Sequence, residues 1–310
     1  KGRFTMRIAI MAAGGIGGYF GARLAAAGHD IHFLARGAHL KAIREGGLRV
    51  SSDKGDLHLK DVSVTDDPAE IGPVDAVLFA VKLWDTEASA DQCKPLLGPD
   101  TLVVPFQNGV RSMDVLSERL GAQHVAGGVA HIAAVIGEPG LIKHTGTMAR
   151  MTIGERDGTV TPRIEALKKA FEDGGFDHAV SPDITRSIWE KFIFLSCLSG
   201  LTSLCRQPAG PIRENPDARA LFEAAIHETA AVGRAEGVPL PDGTEAKTIG
   251  FLDGLPAVMK ASMFHDLEAG RRLELPWLSG EVVRLGRKHG IPTPVHAAVL
   301  GALTFYANGD

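Results

Sequence analysis

The sequence predicts an α/β domain with a largely parallel sheet, followed by an all-helical domain. Three observations lead to this fold class. Short β-like runs alternate with helical segments from Met6 to about Val180, a pattern typical of parallel sheets. A Gly-rich turn separates the first apolar run from the first helical segment. After Ser181-Pro182-Asp183 only helical patterns follow, so we predict two domains, over residues 6–180 and 181–310.

The elements of the first domain are predicted from apolar runs and from the residues that interrupt them. Residues 76–81 form a near-continuous apolar run, as expected for a strand buried on both faces. A helix is expected to begin near Pro162 and to end near Asp173. The other expected elements are a helix over 86–97 and strands over 31–35, 102–105, 125–130, 141–144 and 151–153.

The second domain shows apolar residues at helical spacing along most of its length. Gly237 and Pro239 end one such stretch and separate it from the next. The predicted helical stretches are 184–204, 217–236, 244–267, 278–289 and 293–307. Their long apolar stripes are compatible with a homodimer.

Composition and charge exclude several classes of protein. With 310 residues, of which 45% are hydrophobic and 23% charged, the chain is long enough for two globular domains. A net charge of -4 gives no basic surface for nucleic acid or an anionic membrane. Three cysteines without a C-x-x-C pair predict neither disulfides nor a metal site.

The chain carries no visible signal for a membrane or for export. We expect no apolar run near the length of about 18 residues that a membrane span needs, and no charged leader before an apolar segment. A cytoplasmic location is therefore expected. Met6 stands directly before the first strand, which suggests that residues 1–5 precede the natural start.

The turn after the first apolar run has the layout of a dinucleotide-binding strand, turn and helix. Small residues let the backbone approach a pyrophosphate, and the unpaired N–H groups of the helix start stabilise the anion. The alternative is a βα turn without such a ligand. The predicted cofactor-binding residues of this Rossmann-type domain are Ala12, Ala13, Gly14, Gly15, Ile16 and Gly17.

The first glycine of the G-x-G-x-x-G pattern is replaced here by Ala12. Because alanine has a Cβ atom, we expect the turn to avoid a positive φ at this residue.

The end of the second strand decides between NAD and NADP. An acidic residue there binds the adenosine ribose, whereas an arginine favours the 2′-phosphate of NADP. This strand ends at Arg36, and Asp30 is expected to precede the strand, so no acid is at the tip. A guanidinium can bind a phosphate bidentately. We predict NADP, with a solvated loop arginine as the alternative.

Three further residues are candidates for chemistry. Lys82 and Asn108 follow adjacent strands at the edge where open α/β sheets bind ligands, although each alone is typical of a surface lysine or a turn. Lys191 enters an apolar helix. It either extends its ammonium to solvent or faces a cleft, where burial tunes its pKa for proton donation.

A set of short segments extends over nearly the whole chain. They are Ile16-Gly17-Gly18-Tyr19-Phe20-Gly21-Ala22-Arg23-Leu24, Val81-Lys82, Gln107-Asn108-Gly109, Trp189-Glu190-Lys191, Leu201-Thr202, Ser262-Met263 with Asp266, Glu274, and Gly290-Ile291-Pro292-Thr293-Pro294. In these segments and in their order the chain resembles the ketopantoate reductase (2-dehydropantoate 2-reductase) family.

The resemblance implies a role for each matched residue. Lys191 would be the general acid, and Glu274 would help to hold the lysine and the cofactor. Asn108 and Lys82 would lie at the nicotinamide side, and Ser262 would contact substrate. Asn108 and Lys191 would also bind substrate.

The chain departs from the family at three positions where asparagine is common. The residues found there are Leu195, Ser199 and Met259. Lost amides weaken the binding of a hydroxylated keto acid by about 0.5–1.5 kcal/mol for each hydrogen bond. Ser199 is nevertheless predicted to contact the substrate.

These observations favour NADPH-dependent reduction of a 2-oxo acid to a 2-hydroxy acid, with 2-dehydropantoate to pantoate, in pantothenate biosynthesis, as the best candidate. One alternative is a reductase of the same family that acts on a more apolar 2-oxo acid, which Leu195 and Met259 would suit. Less favoured are a 3-hydroxy acid or sugar-phosphate dehydrogenase and a non-catalytic NADP-sensing protein.

Overall fold

The computed structural model describes residues 4–309 and divides the chain into two compact units. The first, the α/β unit, contains the chain up to Gln107 and then Arg111–Ile184. The second, the helical unit, contains Asn108–Val110 and the chain from Thr185 onward. Residues 1–3, to which most of the expected non-native start belongs, lie outside the described residues.

The α/β unit alternates strands and helices through most of its length, as expected for a parallel sheet. Its elements in chain order are β1 (Arg7–Met11), α1 (Gly15–Ala26), β2 (Asp30–Leu34), α2 (Gly37–Gly46), β3 (Leu48–Ser52), β4 (Leu57–Leu59), β5 (Ser63–Thr65), β6 (Val74–Phe79), α3 (Thr86–Gln92), β7 (Leu97–Pro105), α4 (Ser112–Leu120), β8 (Gly127–Glu138), β9 (Leu141–Gly154), α5 (Pro162–Asp173) and β10 (Asp177–Val180).

The first sheet has five parallel strands in the order β5-β2-β1-β6-β7, which confirms the predicted fold class. β1 lies at its centre, and four of the five residues of this strand are buried. The strand order changes direction at β1. In open α/β sheets, ligands bind at such a point, beyond the carboxyl ends of the strands. Arg36, Lys82 and Gln107 follow β2, β6 and β7 at that edge.

A second, mixed sheet has the order β10-β9-β3-β4, and β8 pairs with β9 as a long antiparallel hairpin. The sequence predicted three short strands in place of this hairpin. Gly146 and its neighbouring threonines interrupt the apolar pattern inside β9. The sequence pattern therefore predicted two short strands where the structure has one strand of 14 residues. The pairing nevertheless continues through a change of register between Ile132 and Ala134.

Several predicted boundaries were wrong by a few residues. β6 ends at Phe79, so Lys82 lies three residues beyond the strand, before the 3-10 turn Leu83–Asp85. β2 begins at Asp30, which therefore lies inside the strand, at the end remote from Arg36. The helix expected over 86–97 ends at Gln92, because Pro95 follows and a 3-10 turn replaces the last helical residues.

The helical unit contains no strand among the described residues, as the sequence predicted. The helix expected over 244–267 is divided in two by residues 254–261, which include Gly254 and Pro256. The helices of the helical unit are α6 (Ile184–Cys205), α7 (Ala209–Glu214), α8 (Pro216–Ala235), α9 (Thr244–Asp253), α10 (Ser262–Glu268), α11 (Ser279–His289) and α12 (Pro294–Leu303).

The central helix α6 overturns the expectation that no segment has the length and apolar character of a membrane span. It has 22 residues, and an 18-residue window of it has a mean hydropathy of 1.3. Within residues 4–309 it is the one helix that meets both criteria, by length and composition only. Of that window 61% is buried, and Phe192, Ile193 and Leu201 belong to the core of the helical unit. The core helix of a globular domain meets the same criteria.

A buried polar group lies between α8, α11 and α12. The side chain of His296 is fully buried, with Nδ1 at 3.1 Å from Ser279 Oγ and Nε2 at 2.8 Å from Thr229 Oγ1. Burial lowers the pKa of His296 to about 4, so the ring is neutral. Glu228 accepts hydrogen bonds from the backbone N–H groups of Val295 and His296 and so caps the start of α12. This group is structural.

Candidate functional site

The turn between β1 and α1 is fixed by backbone hydrogen bonds to the strands on both sides. The N–H of Ala80, just after β6, donates to the carbonyl of Met11 at 2.9 Å. The N–H of Ala13 donates to the carbonyl of Leu34, the last residue of β2, at 2.8 Å. The turn therefore lies at the carboxyl edge of the sheet, where the sequence placed it.

Ala12 adopts φ +82°, so the expectation that this residue avoids a positive φ was wrong. The chain reverses from strand to helix through a left-handed residue, which the glycine of the common pattern adopts freely. Here the same reversal occurs with a Cβ atom, at a conformational cost of about 1–2 kcal/mol. The backbone hydrogen bonds on both sides of Ala12 overcome this strain.

The glycines that follow have different roles. A Cβ on Gly15 would lie 2.1 Å from the carbonyl oxygen of Ala134, and one on Gly17 would lie 2.2 Å from that of Ala12. These two glycines are therefore required for the packing of α1. A Cβ on Gly14 would meet no atom within 4 Å, so this residue faces open space.

The start of α1 is suited to an anion. Gly14 is its N-cap, with no side-chain cap and no acidic residue in the first turn. The N–H groups of the first turn and the positive end of the helix dipole are thus left for a ligand. Gly14 leaves room for that ligand. Residues 12–17 fit the pyrophosphate of a dinucleotide.

Arg36 lies just before α2, as its N-cap residue, and is exposed. Its Nη2 donates to Gln92 Oε1 of α3 at 2.8 Å. This contact uses one of the five donors of the guanidinium. Asp30 lies at the other end of β2.

The loops after β6 and β7 are joined by Gln107. Its Nε2 donates to the carbonyl of Val81 and to Thr86 Oγ1, both at 2.9 Å. These bonds position the chain immediately beside Lys82, whose exposed Nζ lies 5.5 Å from the ring centre of Trp84. The sequence pattern included Gln107 but assigned it no role, because nothing in the sequence places Val81 beside it.

Lys191, Asn108 and Glu274 form a hydrogen-bonded chain within the helical unit. Lys191 Nζ donates to Asn108 Oδ1 at 3.0 Å, and Asn108 Nδ2 donates to Glu274 Oε2 at 3.3 Å. Both partners determine the orientation of the Asn108 side-chain amide. An ammonium can only donate, so Oδ1 faces Lys191, and a carboxylate can only accept, so Nδ2 faces Glu274. The structure therefore brings together three residues that are distant in the sequence.

Each of these three hydrogen-bonded residues comes from a different kind of element. α6 carries Lys191 eight residues into its length, where the residue is half-buried. Asn108 belongs to the three-residue segment that follows β7 but groups with the helical unit. Glu274 precedes the 3-10 turn Leu275–Trp277 and is buried, with 8% of its surface exposed.

The electrostatic environment of Lys191 contains two opposing effects. Burial lowers the pKa of its ammonium from 10.5 to about 8, while the negative charge of Glu274 raises it. Burial is the larger effect. The group is thus protonated at neutral pH and releases its proton more readily than an exposed lysine does.

The two predicted substrate-binding serines lie in different settings. Ser199, two turns along α6 from Lys191, is buried, and its hydroxyl has no hydrogen-bond partner among the described residues. Ser262 is exposed at the first residue of α10. Leu195, one turn from Lys191, is half-buried and packs on the core of the helical unit, as does Met259.

Sequence reasoning missed His39, which contacts the Gly-rich turn. Its Nε2 lies 2.8 Å from the carbonyl oxygen of Ala13. The spacing of 26 residues follows no local pattern, so no sequence signal pointed to it. Within residues 4–309, no three His, Cys, Asp or Glu side chains are grouped so that they could hold a metal ion.

Comparison with known proteins relates both units to one family. The family model described as ketopantoate reductase PanE/ApbA matches residues 8–158, and the model of its C-terminal part matches residues 183–307. A 2-dehydropantoate 2-reductase of Mesorhizobium japonicum is 34% identical over 95% of this chain and 96% of that protein. An uncharacterized oxidoreductase of Bacillus subtilis, YkpB, is 30% identical over 97% of this chain and 99% of that protein.

A solved structure gives the same result. The crystal structure of 2-dehydropantoate 2-reductase from Geobacter metallireducens has a TM-score of 0.90 and 33% identity, over 97% of this chain and 99% of that one. The matched family regions contain the Gly-rich turn and the lysine, asparagine and glutamate described above. The chain therefore belongs to the ketopantoate reductase family and is an oxidoreductase.

Proposed function

We propose that the chain reduces a 2-oxo acid to a 2-hydroxy acid with NADPH, and that 2-dehydropantoate is its substrate. The observation that carries the proposal is the hydrogen-bonded chain of Lys191, Asn108 and Glu274, together with a lysine pKa of about 8. A ketone becomes an alcohol by gaining a hydride at carbon and a proton at oxygen. This cluster is suited to provide the proton.

The dinucleotide would be held by the α/β unit. The start of α1, at Gly14, would bind the pyrophosphate, and Arg36 would bind the 2′-phosphate. Lys82 would lie at the nicotinamide side. When bound, the cofactor supplies the hydride that adds to the ketone carbon.

Proton transfer would be the task of Lys191. Its ammonium would donate a proton to the ketone oxygen as negative charge develops there, and its positive charge would stabilise that oxygen. Asn108 would orient the ammonium through Oδ1, and Glu274 would hold the amide and favour the protonated lysine. Ser199 and Ser262 are the proposed substrate contacts.

A second candidate substrate is a more apolar 2-oxo acid. Leu195 lies one helical turn from Lys191 and is half-buried, so an apolar surface adjoins the proposed proton donor. Membership of an oxidoreductase family disfavours the alternative of an NADP-sensing protein without activity. A homodimer and a cytoplasmic location stay predictions.

The test is NADPH oxidation with a panel of 2-oxo acids that includes 2-dehydropantoate, pyruvate, 2-oxoisovalerate and phenylglyoxylate. The proposal expects the largest kcat/KM for 2-dehydropantoate. A larger value for 2-oxoisovalerate or phenylglyoxylate would favour the second candidate. If no 2-oxo acid were reduced, the proposed activity would be wrong.

A further inference from the structure

The strained turn residue Ala12 is held from two sides through its neighbour Ala13. Within residues 4–309, Ala12 and Arg206 are the two non-glycine residues with a positive φ. Such a conformation persists only where the surroundings fix it. The N–H of Ala13 donates to the carbonyl of Leu34 at 2.8 Å, and its carbonyl oxygen lies 2.8 Å from His39 Nε2. Both backbone polar groups of Ala13, the residue directly after Ala12, are thereby fixed.

The hydrogen bonds of His39 determine which ring nitrogen carries the proton. The N–H of Gly140 donates to Nδ1 at 3.0 Å, and a backbone N–H can only donate. Nδ1 is therefore the acceptor and Nε2 carries the hydrogen, which it donates to the carbonyl of Ala13. The neutral ring thus connects the Gly-rich turn to the turn between β8 and β9.

The anchor on the far side of His39 is rigid. Gly140 accepts a hydrogen bond from the N–H of Arg49 at 2.9 Å, which ties the hairpin turn to β3. A Cβ on Gly140 would lie 3.2 Å from the Cβ of Ala42, so α2 packs closely on this turn. His39, itself on α2, is therefore positioned by both the helix and the hairpin. It is half-buried.

We propose that His39 is a positioning residue for dinucleotide binding, whose hydrogen bond to Ala13 keeps Ala12 in its left-handed conformation. A glycine at position 12 would adopt this conformation without assistance. In this chain the alanine makes the turn depend on the histidine. The inference rests on the proposed binding of NADPH at this turn.

The test is a double-mutant cycle on NADPH affinity with the parent, His39→Ala, Ala12→Gly and the double variant. We expect His39→Ala to raise the Kd for NADPH by about tenfold in the parent and by less than about threefold in the Ala12→Gly background. His39→Gln should restore most of the affinity, because its amide can donate to Ala13 and accept from Gly140. Equal losses in the two backgrounds, or none in the parent, would overturn the inference.

His58→Ala is the matched control. His58 also places a ring nitrogen 2.8 Å from a backbone carbonyl, that of Gly46 at the other end of α2. Its loss should leave the Kd for NADPH unchanged in both backgrounds. An effect equal to that of His39→Ala would mean that α2 as a whole, and not the bond to Ala13, supports the turn, and would overturn the inference.

Hydrogen exchange separates this inference from the proposed function. The amide of Ala13 should exchange faster in His39→Ala than in the parent, and this difference should vanish in the Ala12→Gly background. This measurement needs no ligand. If NADPH failed to bind the parent, the proposed function would fail, while the exchange data would still decide the role of His39.

Discussion

Lys191 is the residue at which burial and charge act in opposite directions. Removal from water lowers the pKa of its ammonium to about 8, and the carboxylate of Glu274 limits that decrease. A general acid works best when its pKa is close to the operating pH. The amide of Asn108 bonds to both charged groups and so links the ammonium of Lys191 to the carboxylate of Glu274.

Replacing Lys191 tests its proposed role directly. We expect Lys191→Ala to lower kcat by roughly 10²–10⁴, because general acid catalysis is lost, with the Kd for NADPH changed much less. Glu274→Ala should also lower kcat, and the double variant should lose less than the two single losses combined. Steady-state kinetics and direct binding measure these effects. Lys288→Ala, at a lysine paired with Glu236, is the control. Near-normal turnover in Lys191→Ala would remove the lysine from the mechanism.

The pH dependence of the reaction follows from the same pKa. Reduction needs the protonated lysine, so kcat should fall as the pH rises above about 8. Oxidation of the hydroxy acid needs the neutral amine and should rise over the same range. Since the carboxylate of Glu274 raises the pKa of Lys191, Glu274→Gln should move both midpoints to lower pH. Glu268→Gln, at an exposed glutamate paired with Lys260, should not move them. Unmoved midpoints in Glu274→Gln would contradict the assignment.

Cofactor preference depends on Arg36. We expect the Kd for NADPH to be lower than that for NADH by at least about tenfold, or ~1.4 kcal/mol, since a guanidinium favours the 2′-phosphate. Arg36→Ala should remove most of this difference, while Arg49→Ala, in the second sheet, should keep it. Titration of each variant with both nucleotides is the measurement. Equal affinities of the parent for NADPH and NADH would contradict the assignment of NADP.

What the sequence could predict of the candidate site varies from residue to residue. Asn108 lies 83 residues from Lys191 and 166 from Glu274, so no spacing rule could bring them together. Family resemblance named them, and the structure supplied their hydrogen bonds. For Ala12 the local rule gave the wrong answer, because tertiary hydrogen bonds outweigh the preference of an alanine for negative φ.

The start of α1 combines tight packing with an open face. Gly15 and Gly17 contact backbone oxygens closely, whereas Gly14 faces empty space. The helix can therefore approach β8 while its first turn stays accessible. A single short segment thus carries one requirement for folding and another for binding.

Substitution of these glycines should separate the two requirements. Gly14→Val should fold with a melting temperature close to that of the parent but lose NADPH binding, because its side chain would occupy the space in front of the helix. Gly17→Ala should instead lower the stability, since its Cβ would lie 2.2 Å from a backbone oxygen. Calorimetry and nucleotide titration distinguish these outcomes. Normal NADPH binding by Gly14→Val would show that this turn does not hold the pyrophosphate.

Helices were easier to predict from the sequence than short strands. α5 begins at Pro162 and ends at Asp173, as its proline start and Gly-rich end indicate. The short strands β3, β4 and β5 were not predicted, because they have three to five residues and few buried positions. β5 pairs with β2 and β3 pairs with β9, both distant in the sequence, so local patterns do not reveal these pairings.

The division into an α/β part and a helical part was predictable from the change of pattern near residue 181. The second sheet was not, because β9 pairs with β3 across about ninety intervening residues. The membership of Asn108–Val110 in the helical unit was not predictable either. Periodicity reports local structure, whereas these features depend on contacts between remote segments.

The stability of the helical unit should depend on pH through His296. Its pKa is about 4 in the folded chain and near 6.5 when unfolded, so the unfolded state binds the proton first. The stabilisation is complete above about pH 6.5 and is lost as the pH falls through 4, by about 3 kcal/mol in total. Urea unfolding between pH 7 and pH 4 measures it. His296→Gln should be less stable at pH 7 but should lose less on acidification.

His265→Gln is the control for this measurement. The side chain of His265 is 58% exposed on α10, so its replacement should leave the acid dependence of stability as in the parent. An acid dependence that is equally steep in His296→Gln would show that other groups cause it.

The three residues Asn108–Val110 also bear on how the protein could be divided or recombined. Because Asn108 supplies the amide between Lys191 and Glu274, and Val110 packs on the helical core, a fragment that starts at Thr185 would be incomplete. During synthesis this segment leaves the ribosome well before the helices to which it belongs. A chimaera that exchanges the C-terminal half between relatives would therefore take the segment with Asn108 from one parent and the helix with Lys191 from the other.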